Sequence, residues 1–274
     1  GVCGRGAINP EEIMVSFTSK DGTAAFYTTA PTLGLVAPDA NTSSPEGYAS
    51  KMHTAWGPYA ERVMQQYPLS AYPSPPAAFI QADADAYVIC PSRRLARHAA
   101  RAGRRTWVGE FAHFQPSARP PHGCSGYGPG GCAGFGCDNG VELDVVPGRH
   151  TSGTRLWASH GSEFHYIFGT ERGPDGLGPP NNVTYCSFSP PEQKLSRTMM
   201  AHWASFARHG DPGAALAPGA AAWPPARAEA SGEVLVRRMR FAVAETDGVP
   251  TGLVGGVHDA DCDFWDGLFD EGER

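Results

Sequence analysis

The feature that most constrains this chain is a predicted helix that leads almost directly into a predicted strand. Residues 91–102 predict the helix, because Pro91 suits its first turn and Gly103 suits its C-terminal cap. Residues 105–111 then predict a strand. A helix followed closely by a strand is typical of α/β proteins, so we expect an α/β fold with a mostly parallel sheet flanked by helices.

Two earlier segments agree with that fold class. Residues 13–18 predict a short buried strand that runs into a turn at residues 19–22. Residues 47–67 have the apolar period of a helix, which Gly57 and Pro58 should interrupt.

The later part of the chain carries the clearest helix, at residues 190–209. Ser189 and Glu192 have the spacing of a capping box at its start, and Gly210 ends it. Residues 233–243 predict a strand, and its arginines favour a position at the edge of the sheet.

Long irregular stretches should separate these elements. The chain holds 34 glycines and 25 prolines, which together make up 22 % of its 274 residues, whereas the two make up roughly 12 % of an average protein. We interpret residues 116–153 as a Cys/Gly/Pro-rich loop insertion pinned by disulfides. A zinc site from this segment is the alternative, although its cysteine spacing matches no common zinc pattern. Its ligands would be His122, Cys124, Cys132 and Cys137.

The charge and the apolar pattern of the sequence argue against a nucleic-acid partner and a membrane span. The formal net charge is −6 and the basic residues are scattered, so we expect no nucleic-acid surface. The sequence has no run of about 18 apolar residues, so we expect no membrane span.

Cysteines and glycosylation sequons favour the secretory route or a secreted protein. Seven cysteines are present, and Asn41 and Asn182 each begin a sequon in loop-like sequence. The odd number of cysteines leaves at least one thiol without a partner in this chain.

Residues 159–169 are dense in groups that carry chemistry. His160 is followed at once by Gly161, and glycine permits the tight backbone of a loop that presents an imidazole to a cleft. Glu163 and a closing Phe168–Gly169 complete the segment. This pattern resembles the histidine loop of the type-B carboxylesterase and cholinesterase family of α/β-hydrolases.

Further landmarks of that family occur in its order and cover nearly the whole chain apart from the insertion. They are the strand and acid turn at 14–22, the Cys-Pro helix start at 88–91, the Phe-x-His strand end at 111–113, the Trp-x-x-Phe-Ala segment at 203–212, the Trp-Pro pair at 223–224 and the Cys-x-Phe-Trp segment at 262–265.

The resemblance implies roles for particular residues. In the family a serine attacks an ester carbonyl, a histidine takes its proton and an acid orients the histidine. His160 corresponds to the histidine and Asp21 to the acid, although the family usually has glutamate there. A turn-forming role for Asp21 stays open. Glu163 is expected to support the loop, and His113 to be structural.

The resemblance also implies a disulfide between Cys90 and Cys262, which occupy the two positions that are paired in secreted cholinesterase-like members. The pairing of Cys3, Cys124, Cys132, Cys137 and Cys186 stays open. No cofactor is expected.

The nucleophile is missing from this sequence. No Gly-x-Ser-x-Gly occurs, and residues 123–127, the nearest match, follow the acid instead of preceding it. The glycine-rich oxyanion loop is also missing. We therefore expect residues 1–274 to be the C-terminal half of an esterase domain, inactive alone, whose N-terminal half supplies the serine.

The alternative is a non-catalytic interaction or adhesion domain of the same family, although such a module has no need of His160 and Asp21. If the protein is an esterase, its substrate is a small carboxylic ester. Ala24 and Ala25 stand where cholinesterases have aromatic residues that help to hold a cationic substrate. This argues against a choline ester.

Overall fold

A computed structural model describes residues 11–22, 44–113, 158, 161–169, 188–216 and 220–272. Within this part of the chain, none of the helices has the length and apolar character needed to cross a membrane.

The described strands form a four-stranded sheet and a small two-stranded one. The larger sheet has the order β1-β2-β5-β6, in which β1, β2 and β5 are parallel and β6 runs antiparallel to β5. The strands are β1 (Glu12–Thr18), β2 (Arg105–Phe111), β3 (Arg227–Ala228), β4 (Val234–Leu235), β5 (Arg237–Phe241) and β6 (Gly252–Gly255). The predicted strands at 13–18 and 105–111 are confirmed.

The prediction of an edge strand at 233–243 is wrong in two respects. The segment divides into β4 and β5, and β5 lies inside the sheet between β2 and β6. The arginines are tolerated there because Glu110 of β2 accepts from Arg238 Nε at 2.6 Å and from Arg240 Nε at 3.0 Å.

Helices cover the sheet. They are α1 (Pro45–Trp56), α2 (Ala60–Gln66), α3 (Pro75–Ala84), α4 (Cys90–Arg101), α5 (Phe164–Phe168), α6 (Pro190–His209), α7 (Ala244–Asp247) and α8 (Asp259–Gly272). The predicted interruption within 47–67 is present as a 3₁₀ turn at Gly57–Tyr59. The capping box of α6 is also present, and Gly210 ends that helix with a left-handed φ of 66°. The α/β fold class is therefore confirmed.

The predicted helix at residues 91–102 is confirmed as α4 (Cys90–Arg101), with Pro91 in its first turn, but the chain is already helical before it. A π-helical turn at Asp85–Ile89 joins α3 to α4 without a break. Proline has no N–H and cannot make the hydrogen bond of a regular helix interior. The wider π turn, in which the Cys90 N–H bonds to the Asp85 carbonyl, places this irregularity directly before the proline.

Alternate residues of the strands point into two hydrophobic cores on opposite faces of the sheet. The first face carries Phe17 and Val108 and packs against α1, α3, α4 and α8. The second face carries Trp107, Met239 and Phe241 and packs against α6. The sheet thus lies between two helical layers.

The C-terminal helix is attached to α4 by covalent and ionic contacts. Cys90 and Cys262 form a disulfide with 4.9 Å between their Cα atoms, as the resemblance implies. Beside it, Arg93 Nη2 lies 2.7 Å from Asp263 Oδ1, and Arg94 Nη2 lies 2.6 Å from Asp270 Oδ1.

Candidate active site

Asp21 lies in a tight turn just beyond the carboxyl end of β1. The Thr18 N–H donates to Asp21 Oδ2 at 2.6 Å, and Asp21 is only 6 % exposed. The carboxyl ends of parallel strands are where α/β proteins bind their ligands. The hydrogen bond from Thr18 also shows that the carboxylate closes its own turn. Asp21 therefore makes the hydrogen bond expected of a turn-forming aspartate, which the sequence analysis kept as an alternative role. It also lies at the edge of the sheet where α/β proteins carry functional groups.

Gly22 lets this turn touch helix α3. A side chain built there would place its Cβ 2.2 Å from the Ile80 carbonyl oxygen and 2.8 Å from the Ala84 nitrogen. Both neighbours are backbone atoms that cannot move aside, so the contact requires glycine. The backbone beside Asp21 is consequently held rigidly against the helix.

Two further hydrogen bonds attach the turn to other parts of the chain. The Ser19 N–H donates to the Phe111 carbonyl at the end of β2, and the Lys20 N–H donates to the Ala158 carbonyl, each at 2.9 Å. Ala158 stands two residues before His160 in the sequence. The acid turn is thus hydrogen-bonded to Ala158, the residue that directly precedes the histidine loop in the sequence.

The far side of the histidine loop is also described. Gly161 has a φ of 81°, in the left-handed region that glycine adopts without strain, and Ser162 and Glu163 are buried. Helix α5 follows, and the Ile167 N–H bonds to the Glu163 carbonyl at 2.9 Å. The loop therefore enters a helix within a few residues of the predicted catalytic position.

His160 itself lies outside the described residues. So do the sequons at Asn41 and Asn182, the segment 116–153 with its zinc candidates, and Ala24 and Ala25. The roles assigned to these residues stay predictions, and so does the supporting role of Glu163.

The Lys20 side chain enters a buried polar network on the first face of the sheet. Lys20 Nζ donates to Gln81 Oε1 at 2.5 Å, Gln81 Nε2 lies 3.2 Å from Asp85 Oδ2, and His258 Nδ1 lies 2.7 Å from Asp85 Oδ1. Burial is the main cause that lowers the pKa of Lys20, against the opposing charges of Asp85 and Glu110. The network links the acid turn to α3 and to the start of α8.

One group of side chains in this network has the composition of a metal site. Asp85, His258 and Asp261 have donor atoms within 4.8 Å of one another. However, Asp85 already accepts from Tyr67 and Gln81 and contacts His258. Asp261 accepts from Gln66 at 2.8 Å. Hydrogen bonds within the protein therefore explain why these three side chains lie close together, and no metal ion is needed to explain it.

His113 occupies a second buried network, at the end of β2 on the second face. Its Nδ1 lies 2.9 Å from Asp247 Oδ2, and its Nε2 lies 3.2 Å from Glu192 Oε1. Burial alone would lower the pKa of His113, but the two hydrogen bonds to carboxylates outweigh burial and raise it. Tyr166 also donates to Glu192, at 3.3 Å. These contacts join β2, α5, α6 and α7.

Comparison with known proteins identifies the family of this chain. The profile of the carboxylesterase family matches residues 6–246. Acetylcholinesterase from Gallus gallus is 40 % identical to this chain over 81 residues, which are 28 % of the chain. The chain spans about 9 % of the length of this curated relative in that match.

The chain belongs to the carboxylesterase family, since the match covers most of its length. This family implies the α/β-hydrolase fold, and the mostly parallel sheet flanked by helices agrees with it.

Proposed function

We propose that this chain supplies the acid and the histidine, Asp21 and His160, of a carboxylic ester hydrolase with a Ser-His-acid triad. The nucleophilic serine would come from sequence outside the chain, in the N-terminal half of the same domain. The proposal treats residues 1–274 as the C-terminal half and 116–153 as an insertion within it.

The observation that carries the proposal is the hydrogen bond between the acid turn and the residue that directly precedes the histidine loop in the sequence. The Lys20 N–H donates to the Ala158 carbonyl at 2.9 Å, so residues adjacent to Asp21 and close to His160 in the sequence are bonded to each other. In a triad the buried carboxylate accepts a hydrogen bond from the Nδ1–H of the histidine and holds its ring, so that Nε2 can take the proton of the serine. A buried aspartate on a rigid turn is suited to that role.

The test uses the natural protein that contains this chain together with its upstream sequence. Asp21→Asn should lower kcat for p-nitrophenyl acetate by about 10⁴-fold and His160→Ala by about 10⁶-fold, as loss of the acid or of the histidine of a triad does elsewhere. Exposed Glu233→Gln is the matched control and should leave kcat unchanged. If the intact protein hydrolyses no ester and binds a protein partner instead, the chain is an interaction domain.

The 274-residue chain tests the missing nucleophile directly. Alone, it should hydrolyse no simple aryl ester, because acyl transfer needs a nucleophile and oxyanion donors. Turnover by this chain that disappears in His160→Ala would contradict the assignment of the serine to another segment.

We also propose passage through the secretory pathway. The Cys90–Cys262 disulfide supports it, since such bonds persist in oxidising compartments. Removal of N-linked glycans from protein expressed in eukaryotic cells should lower its apparent mass, and Asn41→Gln with Asn182→Gln should abolish that shift. A mass unaffected by the enzyme that removes the glycans would contradict the proposal.

For the substrate we propose an uncharged carboxylic ester, because Ala24 and Ala25 offer no aromatic face to a quaternary ammonium. In the intact protein, kcat/KM for a naphthyl ester should exceed that for a thiocholine ester. The reverse order would contradict this substrate class.

A further inference from the structure

Tyr166 attaches the segment that follows His160 to the second face of the sheet, and the proposed triad does not use it. Tyr166 lies on α5, and its side chain is fully buried. Its ring stacks on that of Phe188, with 4.5 Å between the ring centres, and it also contacts the rings of Phe111 and His113. A side chain that is packed against three rings has little freedom to change its rotamer.

Two hydrogen bonds attach Tyr166 to helix α6. The Tyr166 hydroxyl donates to Glu192 Oε1 at 3.3 Å, and the Ser196 hydroxyl donates to the Tyr166 carbonyl at 3.0 Å. Glu192 and Ser196 are four residues apart, so they lie on the same side of α6, and both are buried. Helix α6 therefore holds both the side chain and the backbone of Tyr166.

The carboxylate that accepts from Tyr166 is itself held in place. Glu192 Oε2 accepts from the Ser189 N–H at 2.7 Å, and Glu192 Oε1 lies 3.2 Å from His113 Nε2. Burial is the main cause that raises the pKa of Tyr166 well above its ordinary value, and the charge of Glu192 raises it further. The phenol consequently keeps its proton at neutral pH and donates it to this hydrogen bond.

Backbone hydrogen bonds connect Tyr166 to the residue beside the predicted catalytic histidine. The Tyr166 N–H bonds to the Glu163 carbonyl at 3.0 Å, and the Phe164 N–H bonds to the Gly161 carbonyl at 3.2 Å. Gly161 directly follows His160 in the sequence. The backbone from Gly161 to Tyr166 is therefore one hydrogen-bonded unit, and we expect a displacement of Tyr166 to move the residue next to His160.

We propose that Tyr166 is a positioning residue for the proposed catalytic histidine. Its bonds to Glu192 and Ser196 fix the point at which α5 is attached to α6, and thereby the backbone that carries the imidazole. This inference rests on the proposed function. The position matters for the rate, because displacement of a reacting group by about 1 Å can lower the rate about 10²-fold. The buried ring of Tyr166 offers no surface to a substrate, so substrate binding should not depend on it.

The experiment removes each bond separately in the natural protein that contains this chain and its upstream sequence. Tyr166→Phe removes the hydroxyl and keeps the ring, whereas Ser196→Ala removes the donor to the Tyr166 carbonyl. Rates of p-nitrophenyl acetate hydrolysis per mole of folded protein give kcat and KM separately. Each variant should lower kcat by about tenfold and leave KM unchanged, since only the alignment of the histidine is disturbed.

Two control variants remove comparable groups that do not belong to the contacts described above. Tyr48→Phe removes a buried phenol of the first face, which donates to the Tyr67 carbonyl at 2.7 Å. Thr198→Val removes a hydroxyl from α6, two residues from Ser196, that bonds within the helix. Both should keep the wild-type kcat, although Tyr48→Phe should lower the free energy of unfolding as Tyr166→Phe does. A merely structural role of Tyr166 would leave kcat unchanged in all of these variants.

Failure of this inference can be told from failure of the proposed function. If the intact protein hydrolyses no ester, or if His160→Ala keeps wild-type activity, the proposed function is wrong and this inference falls with it. If His160→Ala is inactive but Tyr166→Phe and Ser196→Ala both keep the wild-type kcat, only the positioning role is overturned.

Amide hydrogen exchange supplies a second measurement, because it reports local opening of the backbone. In the natural protein, the amides of residues 161–168 should exchange faster in Tyr166→Phe and Ser196→Ala than in wild type, and at the wild-type rate in Thr198→Val. If Tyr166→Phe does not fold, Ser196→Ala still tests the attachment of α5, since it deletes a single hydroxyl. Exchange at the wild-type rate in Ser196→Ala would overturn the inference.

Discussion

Strand β5 shows how differently the two faces of the sheet treat charge. Met239 and Phe241 point into the second face, where they meet Trp107, Trp223 and other apolar residues. Arg238 and Arg240 point the other way, into the first face, where both contact Glu110. The first face buries ions among its strands, whereas the centre of the second face is apolar and aromatic.

The second face also buries charge, but at its rim. His113 stands beyond the end of β2 and is held by Asp247 and Glu192. At both Glu110 and His113, partners from other elements complete the hydrogen bonds of the buried ionisable group. Loss of a central carboxylate should therefore lower the free energy of unfolding more than loss of a contact at the periphery.

The largest effect is expected for Glu110→Gln. Glu110 and Arg238 have side chains that are 4 % and 8 % exposed, and removal of one charge from a buried pair typically costs about 3–5 kcal/mol. Urea unfolding at pH 7 should show this loss, while exposed Glu233→Gln should stay within about 0.5 kcal/mol of wild type. A loss below about 1 kcal/mol for Glu110→Gln would show that the first face does not depend on its central carboxylate.

The pH dependence of this variant gives an independent check. Burial would raise the pKa of Glu110, but Arg238 and Arg240 outweigh burial and lower it. An acid with a lowered pKa in the folded state stabilises the protein above its unfolded-state pKa and loses that contribution as the pH falls through the folded-state pKa. The difference between wild type and Glu110→Gln should therefore shrink as the pH falls below about 4.3, the ordinary glutamate pKa.

The next largest effect is expected for the disulfide, which attaches α8 to the first face. Replacement of Cys90 and Cys262 by alanine should lower the free energy of unfolding by about 2–5 kcal/mol, because the bond limits the unfolded chain. The loop is long, with a sequence separation of 172. Reduction of the wild-type protein by dithiothreitol should produce a similar loss. Equal stability of oxidised and reduced protein would contradict the prediction.

A smaller effect that depends on pH is expected for His113 at the rim of the second face. His113→Asn removes hydrogen bonds to two carboxylates, at a cost of about 1–3 kcal/mol at pH 6. A histidine with a raised pKa in the folded state stabilises the protein fully below its unfolded-state pKa, and the contribution is lost as the pH rises through the folded-state pKa. The stability difference between wild type and His113→Asn should consequently be larger at pH 6 than at pH 9. A difference that is constant with pH would show that the imidazole is neutral.

The regular elements of both faces could be predicted from sequence because their signals are local. β1, β2 and α6 follow from alternation, period and capping residues within each segment. The continuation of the helix before Pro91 and the inner position of β5 were not predicted, because their causes are irregular or non-local. A π turn precedes the proline, and Arg238 is paired with Glu110, which is 128 residues away along the chain.

The candidate site was only partly predictable for the same reason. Asp21 was found through family resemblance, but its contact with α3 at Gly22 depends on the folding of segments about 60 residues apart. Sequence reasoning did not predict that the charged residues Lys51 and Asp83 are buried near this turn. Lys51 has a usable signal, since it lies between Tyr48 and Met52 on the buried side of α1, where a charged residue needs a buried partner.

The smallest effect is expected for the exposed ion pairs between α4 and α8, which provide the other limit of the comparison. Asp270 is 53 % exposed and Arg94 is 31 % exposed at a separation of 2.6 Å. Because solvent and salt screen such a pair, Asp270→Asn should cost only about 0.5 kcal/mol, and 1 M NaCl should remove most of that difference. The buried Glu110 pair should respond much less to salt, since ions cannot reach it. If Asp270→Asn were as damaging as Glu110→Gln, the position of a charge in the fold would not determine its contribution to stability.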